Sequence, residues 1–342
     1  MRVRKQISQR PALANDIDGR GERIRTFDPL VPNQMRYQAA LRPDKLAILA
    51  RRQAVSFFEA LLIVTNKKTG EKWHEPSASS AKVFIMQPSR PSLPWILPGE
   101  GFPPANQAWD STSVAPGLLA AGGELDVASL CNAYSQGIFP WFSEGQPVLW
   151  WSPDPRMALD VSNFRLHRSL RKVLKKFGAS CQGEIRIDSA FDQVIEACAG
   201  VPRDGQAGTW IVPDMVQAYC RLHRAGFAHS VETWIDGQLV GGLYLVALGK
   251  AVFGESMFSH TADASKIALS ALVCFCRRHT IELIDCQQNT RHLASLGATE
   301  MPRSEFLKRI QQGAIQAPPL WQFDTLYWRE LLVPSPTQHD AP

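Results

Sequence analysis

The sequence predicts an α+β fold, and three observations carry that prediction. Residues 229–258, "HSVETWIDGQLVGGLYLVALGKAVFGESMF", read as three antiparallel strands whose turns fall at Asp236-Gly237 and Gly249-Lys250, dipeptides suited to tight hairpins. A long helical pattern follows in "ADASKIALSALVCFCRRH", and then a short apolar strand at Glu282–Cys286. Upstream, strand and helix alternate: "GEIRID" has strand character, "SAFDQVIEACAG" is helical, and "PDMVQAYCRLHRAG" opens with Pro213 at the first turn of another helix. Several antiparallel strands, a long helix and one further strand make a mixed sheet.

From the N-terminus, four segments are expected: a leader at 1–85, a small N-terminal domain at 86–162, a larger domain at 163–330 and a tail at 331–342. The leader has poor apolar periodicity and scattered basic residues. Met86 then opens "MQPSRPSLPWILPGEGFPPANQAWD", rich in Pro and turns, so Met86 or a nearby codon is expected as the translation start; a disordered or organelle-targeting extension is the alternative. In "GLLAAGGELDVASLCNAYSQGIFPWF", Asp126 is placed to cap a helix carrying Leu130 and Tyr134, and Gly137 to stop it. "VLWWSPDPR" reads as an irregular connection. In "NFRLHRSLRKVLKKFG", Phe164, Leu166, Leu170, Val173, Leu174 and Phe177 suit one helical face, while Arg165, Arg168, Arg171, Lys172, Lys175 and Lys176 fill the rest. A last helix begins near Pro302.

Bulk composition narrows the function classes. With 342 residues, 45% apolar and 20% charged, the chain reads as globular, and no apolar run approaches the roughly 18–20 residues that span a bilayer. The net charge of +5 is split: residues 1–85 hold 16 Lys+Arg against 8 Asp+Glu, and the remainder holds 21 against 24. The basic balance belongs to the leader and does not itself argue for nucleic-acid binding by the body. Seven cysteines show no framework spacing and no C-x-x-C pair, and the eight histidines form no ligand-spaced cluster. A metal site is therefore not expected, and reduced thiols in a cytoplasmic protein are.

Four features carry chemistry. In "FGESMFS", Glu255 lies between Phe253 and Met257, and residues two apart in a strand share a face. It is either an ordinary surface acid or a lone carboxylate in an apolar pocket, suited to contacting an amine. In "ELIDCQ", Leu283, Asp285 and Gln287 share one face and Ile284 and Cys286 the other; Asp285 is either a helix N-cap or turn residue or, with Gln287, a functional group at a strand's C-terminal end. Cys286 has no histidine in a recognisable partner position and is expected in the core. Trp141, Trp150, Trp151 and Trp210 fall in irregular segments, either filling the core or lining a pocket. The block of six cations on the basic helix stands out against a net acidic body, and a phosphate backbone is its natural partner.

Six motifs in order, "GLLAAGGELDVASLCNAYSQGIFPWF", "LWWSPDPR", "GTWIV", "AHSVETW", "GESMFS" with "ADASKIAL", and "LIDCQQNTRHLASLGA", closely resemble the leucyl/phenylalanyl-tRNA-protein transferase family over about Gly101 to Phe323. The resemblance implies a small N-terminal domain and an acetyltransferase-like (GNAT) C-terminal domain that uses no acetyl-CoA. It implies an enzyme that moves Leu or Phe, and less well Met, from aminoacyl-tRNA to the N-terminal Lys or Arg of a protein, marking it for N-end-rule degradation. The family's D-C-Q motif falls on Asp285, Cys286 and Gln287, and its G-E-S-M-F motif on Gly254–Phe258. Its tryptophan positions for the 3′-aminoacyl-adenosine fall on Trp141 and Trp210, and its acceptor-stem contacts on Arg171, Lys172, Lys175 and Lys176. Met257, Leu269 and Leu272 are the expected side-chain pocket. Leu269, Leu272 and Cys276 stand where relatives often place aromatics, implying a roomier pocket and leaving the preference between Leu and Phe open. No cofactor is implied, no membrane contact is expected, and a cytoplasmic monomer is. No Gly-rich pyrophosphate loop of the Q/R-x-x-G-x-G/A kind occurs, which weighs against a CoA-dependent acetyltransferase; a non-catalytic tRNA-binding protein is the other rival.

The implied reaction is aminolysis of an activated ester. An α-amine with a pKa near 7.7–8.0 is roughly a tenth or more neutral at pH 7, so no strong base is needed. Asp285 is expected to stabilise positive charge developing on the nitrogen, Gln287 to orient it or to link a relay from Asp285, and Glu255 to hold the cationic N-terminal residue or help fix the amine.

Overall fold

The computed structural model of the chain describes residues 93–200 and 211–333. The expectations for the leader, for Met86 and for Trp210 lie outside the described residues. Within them the fold is mixed α/β, built on two sheets.

The smaller sheet takes its strands from apolar runs near the start. β1 (Trp95–Ile96) pairs parallel with β2 (Leu118–Gly122), and β4 (Leu149–Trp151) pairs antiparallel with both β2 and β3 (Phe139–Pro140). Trp150 and Trp151 are fully buried and still satisfy their indole N–H groups, donating to Gly122 O at 2.8 Å and Trp141 O at 2.7 Å. Between β2 and β3 runs α1 (Val127–Ser135), whose Asp126 cap accepts from Ser129 N at 2.7 Å, with Gly137 following at φ 70°.

The stretch "VLWWSPDPR", expected to be irregular, supplies one strand and the first residue of the next. Its leucine and two tryptophans form β4, the prolines punctuate, and β5 (Arg156–Asp160) begins on its last residue. β5 lies inside the segment expected as the small domain, yet it pairs with β10 (Leu283–Gln287) and β11 (Thr299–Met301) in the larger sheet. That sheet also contains β6 (Gly183–Ile187), β7 (Ala228–Ile235), β8 (Gln238–Leu248) and β9 (Ala251–Ser259), in the order β11-β5-β10-β9-β8-β7-β6. Asp236 and Gly237 turn β7 into β8 with φ of 52° and 72°, the left-handed pair a two-residue hairpin needs.

Helices cover both faces. α2 (Arg168–Ala179) precedes β6, and its first turn begins four residues later than Phe164, so Phe164 and Leu166 sit in the approach to the helix. α3 (Phe191–Ala199) and α4 (Pro213–Arg224) pack with α1 on one side, against Tyr244, Val246, Phe253 and Leu283. α5 (Ala264–Arg278) crosses the other side, against Leu243, Leu245, Val252 and Ile284. Short α6 (Arg291–Ser295), α7 (Arg303–Ala314) and α8 (Arg329–Leu332) complete the described chain.

One pairing positions everything that follows. β9 and β10 are the parallel neighbours in the larger sheet, and their register holds only at Val252↔Ile284 and Phe253↔Asp285. Beyond those pairs the strands separate, β9 continuing to Ser259 while β10 ends at Gln287.

The β8–β9 turn is a testable anchor. Gly249 has φ 57°, and a Cβ there would collide with the Gln316 carbonyl oxygen and stand 2.7 Å from Ala314 O, while the next residue's N–H donates to Gly313 O at 2.9 Å. Gly249→Ala should lower the unfolding free energy by more than about 1 kcal/mol, read from the urea midpoint at unchanged m-value.

Candidate active site

Glu255 lies where β9 leaves β10, at a bulge. Tyr244 faces Ser256 and Leu245 faces Gly254, so Glu255 is the extra residue. The bulge changes which side chains share a face. Glu255 turns to the side of Phe253 and α1, whereas Met257, opposite Leu243, packs with α5 on the far side. The expected grouping of Phe253, Glu255 and Met257 on one face is thus broken by a single inserted residue.

The Glu255 carboxylate collects three donors. Tyr134 OH on α1 donates to Oε1 at 2.7 Å, Gln287 Nε2 donates to the same oxygen at 2.8 Å, and Tyr219 OH on α4 approaches Oε2 at 3.2 Å. The two phenol oxygens are 2.5 Å apart. Each phenol has one proton: Tyr134 gives its own to Glu255, so Tyr219 serves Tyr134 in the short contact and Glu255 only weakly. Burial and the Glu255 charge push both phenols well above their ordinary range, so they act as donors. Burial likewise pushes the Glu255 carboxyl up to about 7, and the Asp285 charge adds to this against the hydrogen bonds from the tyrosines.

Asp285 is not poised toward an open site. It is fully buried; its Oδ1 accepts from Arg156 Nε at 2.8 Å and its Oδ2 from Arg156 Nη2 at 2.6 Å. The direct contact with an amine expected of Asp285 therefore gives way to a bidentate ion pair. Oδ1 also accepts from Gln287 N at 2.9 Å. That bond closes around Cys286, where the β10–β5 register slips, and Gln287 adopts φ 58°. Gln287 is half-buried and reaches Glu255 from there. Cys286 packs on the α5 side, and burial pushes its thiol far above the ordinary value, which disfavours the thiolate a nucleophile needs.

The other expected site residues are spread around this centre. Trp141 is half-buried, its ring 5.5 Å from that of Trp151 and its backbone N–H bonded to Leu149 O at 2.9 Å. Met257 is half-buried; Leu269 and Leu272 on α5 are buried in the same cluster. On α2, Lys172, Lys175 and Lys176 are exposed, but Arg171 is half-buried and donates from Nη1 to Leu331 O at 3.1 Å, tying α2 to the C-terminal segment. Among the described residues, no His, Cys, Asp or Glu group is arranged to hold a metal.

Sequence reasoning missed Arg156 and gave Tyr134 and Tyr219 no role. A signal existed for the tyrosines, since each lies on the apolar stripe of a helix and a buried phenol needs a partner. For Arg156 the signal was weaker: a guanidinium opening the apolar strand "RMALD" reads as a boundary residue.

The raised Glu255 carboxyl has a consequence for stability. Its ordinary value is 4.5 and its folded value about 7, so between these the folded chain keeps a proton that the unfolded chain has released. Stability should fall by about 3 kcal/mol as pH rises from about 4.5 to about 7 and be level beyond. Urea unfolding at pH 5 and pH 8 should show that loss in the native protein and not in Glu255→Gln.

Comparison with known proteins bears on this arrangement. Residues 123–154 match the leucyl/phenylalanyl-tRNA protein transferase N-terminal domain, and residues 158–311 match leucyl/phenylalanyl-tRNA protein transferase, so the two matches meet next to β5. Relatives named leucyl/phenylalanyl-tRNA–protein transferase include one from Albidiferax ferrireducens, 64% identical over 249 residues, covering 73% of this chain and 98% of the relative. One from Polaromonas sp. is 64% identical, covering 70% and 94%, and one from Leptothrix cholodnii is 56% identical, covering 70% and 95%. With Glu255, Asp285 and Gln287 inside the matched region, the chain belongs to the leucyl/phenylalanyl-tRNA–protein transferase family.

Proposed function

We propose that this chain is an aminoacyltransferase that moves Leu or Phe, and less well Met, from aminoacyl-tRNA to the N-terminal Lys or Arg of acceptor proteins, marking them for degradation by the N-end rule in the cytoplasm. Family membership supports the transfer from tRNA to protein. The observation that carries the chemistry is the Gln287–Glu255 hydrogen bond at the parting of β9 and β10.

An ionised carboxylate only accepts, so Gln287 must turn its NH2 group to Glu255 and its carbonyl oxygen away. That oxygen is then fixed as an acceptor for the attacking α-amine, with the Glu255 charge close behind it. As the nitrogen attacks the ester carbonyl it gains positive charge, which both groups stabilise. The C–N bond forms, the bond to the ribose oxygen breaks, and the amine proton passes to that oxygen through the neighbouring ribose hydroxyl. Holding two substrates in register can supply on the order of 7–11 kcal/mol of the barrier. Asp285 acts through the backbone of Gln287, in place of the direct charge stabilisation expected from sequence.

The remaining roles follow the same reading. Trp141, and Trp210 outside the described residues, stack the terminal adenosine. Met257 forms the wall of the donor side-chain pocket, backed by Leu269 and Leu272. Lys172, Lys175 and Lys176 contact the acceptor stem, with Arg171 placing their helix. We divide the chain into a small N-terminal domain and a GNAT-like catalytic domain, the latter supported by the meander, crossover helix and separating parallel strands, and we take the protein to act as a monomer.

Labelled Phe-tRNA with an Arg-starting peptide tests the reaction. The expected product is the peptide extended by Phe; acetylation from acetyl-CoA, or tRNA binding without transfer, would favour the rival classes. Gln287→Ala should lower kcat by about 10²–10³ with aminoacyl-tRNA affinity nearly unchanged. kcat should rise through pH 7 in the native protein, and Glu255→Gln should remove the component near 7 and leave only the later rise set by the acceptor amine near 7.7–8.0. Lys175→Ala with Lys176→Ala should weaken tRNA binding and flatten the plot of log affinity against log salt, its slope falling by roughly 0.9 for each phosphate the two lysines neutralise.

A further inference from the structure

Arg156 is fully buried and each of its three guanidinium nitrogens has a partner. Nε and Nη2 grip Asp285, Nη1 donates to Gly137 O at 3.2 Å, and the guanidinium lies between the rings of Phe139 and Phe306, 4.7 and 4.6 Å from their centroids. One side chain on β5 thereby touches the turn after α1, β3, β10 and α7.

Stability alone does not account for this. A buried ion pair roughly breaks even against well-packed apolar residues of the same volume, because desolvation offsets attraction. What a guanidinium fork gives and an apolar pair does not is orientation: two parallel N–H groups fix the plane of the carboxylate they hold. Here the carboxylate oxygen so fixed is the one that accepts from Gln287 N and closes a left-handed turn at a residue other than glycine. The third arm of the fork ends on Gly137, two residues beyond the helix that carries Tyr134. Both donors to Glu255 Oε1 therefore hang from elements that Arg156 joins.

We propose that Arg156 is a positioning residue for aminoacyl transfer: through Asp285 it sets the turn that aims the Gln287 amide, and through Gly137 it ties that turn to the helix bearing Tyr134. The inference rests on the reading of Glu255 and Gln287 above. Lysine keeps the charge but cannot form the fork, so geometry and charge separate experimentally.

The groups facing Glu255 are Tyr134 from α1, Tyr219 from α4, Asp285 and Gln287 from β10, and Arg156 from β5; the positive charge of Arg156 holds the Glu255 carboxyl down while the negative charge of Asp285 raises it. The test compares the native protein, Arg156→Lys, and the double variant Arg156→Met with Asp285→Leu, each checked for cooperative unfolding, in the Phe-tRNA and Arg-peptide assay. Arg156→Lys should lose about 10–100-fold in kcat with aminoacyl-tRNA affinity within twofold. The double variant should match or exceed native stability and remain as slow, and it carries the test if the lysine variant does not fold. Removing both charges should also move the Glu255 component of the rise in kcat to lower pH, because the Asp285 charge that raises its carboxyl outweighs the Arg156 charge that lowers it. Near-native kcat in either folded variant, or a loss confined to KM for aminoacyl-tRNA, would overturn the proposal. Absence of transfer by the native protein would instead overturn the reaction on which it rests.

Discussion

Two parallel strands that stay together for only two residue pairs govern this molecule. Once β9 and β10 separate, their backbones no longer pair, and side chains bridge the gap. A bulge lies on each side of it, at Glu255 on β9 and at Cys286 on β10. Each inserts one residue and re-aims a side chain, and the two re-aimed side chains, Glu255 and Gln287, meet at 2.8 Å. The hydrogen bond at the candidate site is thus the continuation, by side chains, of a ladder that the backbone gives up.

Two carboxylates lie beside this gap and one guanidinium lies behind it. A single fork can complete only one ion pair, and Arg156 gives it to Asp285. Glu255 receives neutral donors, two phenols and an amide, which stabilise its charge less than a cation would. Burial therefore dominates and brings its carboxyl up to about 7. Environment, with no difference in intrinsic chemistry, makes one acid a fixed strut and leaves the other titrating where an α-amine also begins to shed its proton.

The features legible in the sequence were those with a local cause. Asp236-Gly237 dictates its turn, Asp126 caps its helix, and the apolar stripe of α5 marks a helix over most of its length. The acid-thiol-amide triplet at 285–287 also stood out, and Cys286 lies on the apolar side as alternation implied. Failures came where one residue reset the pattern or where contact depended on distant chain. A period of two cannot foresee a bulge, so Met257 was grouped with Glu255. "VLWWSPDPR" hid one strand and the start of another because its prolines dominate local propensity, although they only punctuate it. Nothing near Arg156 announces that Asp285, 129 residues away, will take its charge; without that partner the acid reads as accessible.

The bulge at Glu255 also divides the site chemically. On one side of β9 lie Glu255, the two phenols and the Gln287 amide, all hydrogen-bonding groups; on the other lie Met257, Leu269 and Leu272 with the apolar residues of α5. Had the strand kept its alternation, the acid and the methionine would share a face, and an apolar ligand group seated against Met257 would add to the desolvation the carboxylate already bears. The extra residue removes that conflict by placing the two requirements on opposite faces of a single strand. On the proposed reaction, the donor's Leu or Phe side chain and the acceptor's amine make opposite demands on solvation, and the ester carbonyl that joins their fates must lie at the edge between them. On that reading the bulge lets one strand serve both substrates, and the separation of β9 from β10 marks where the edge would lie.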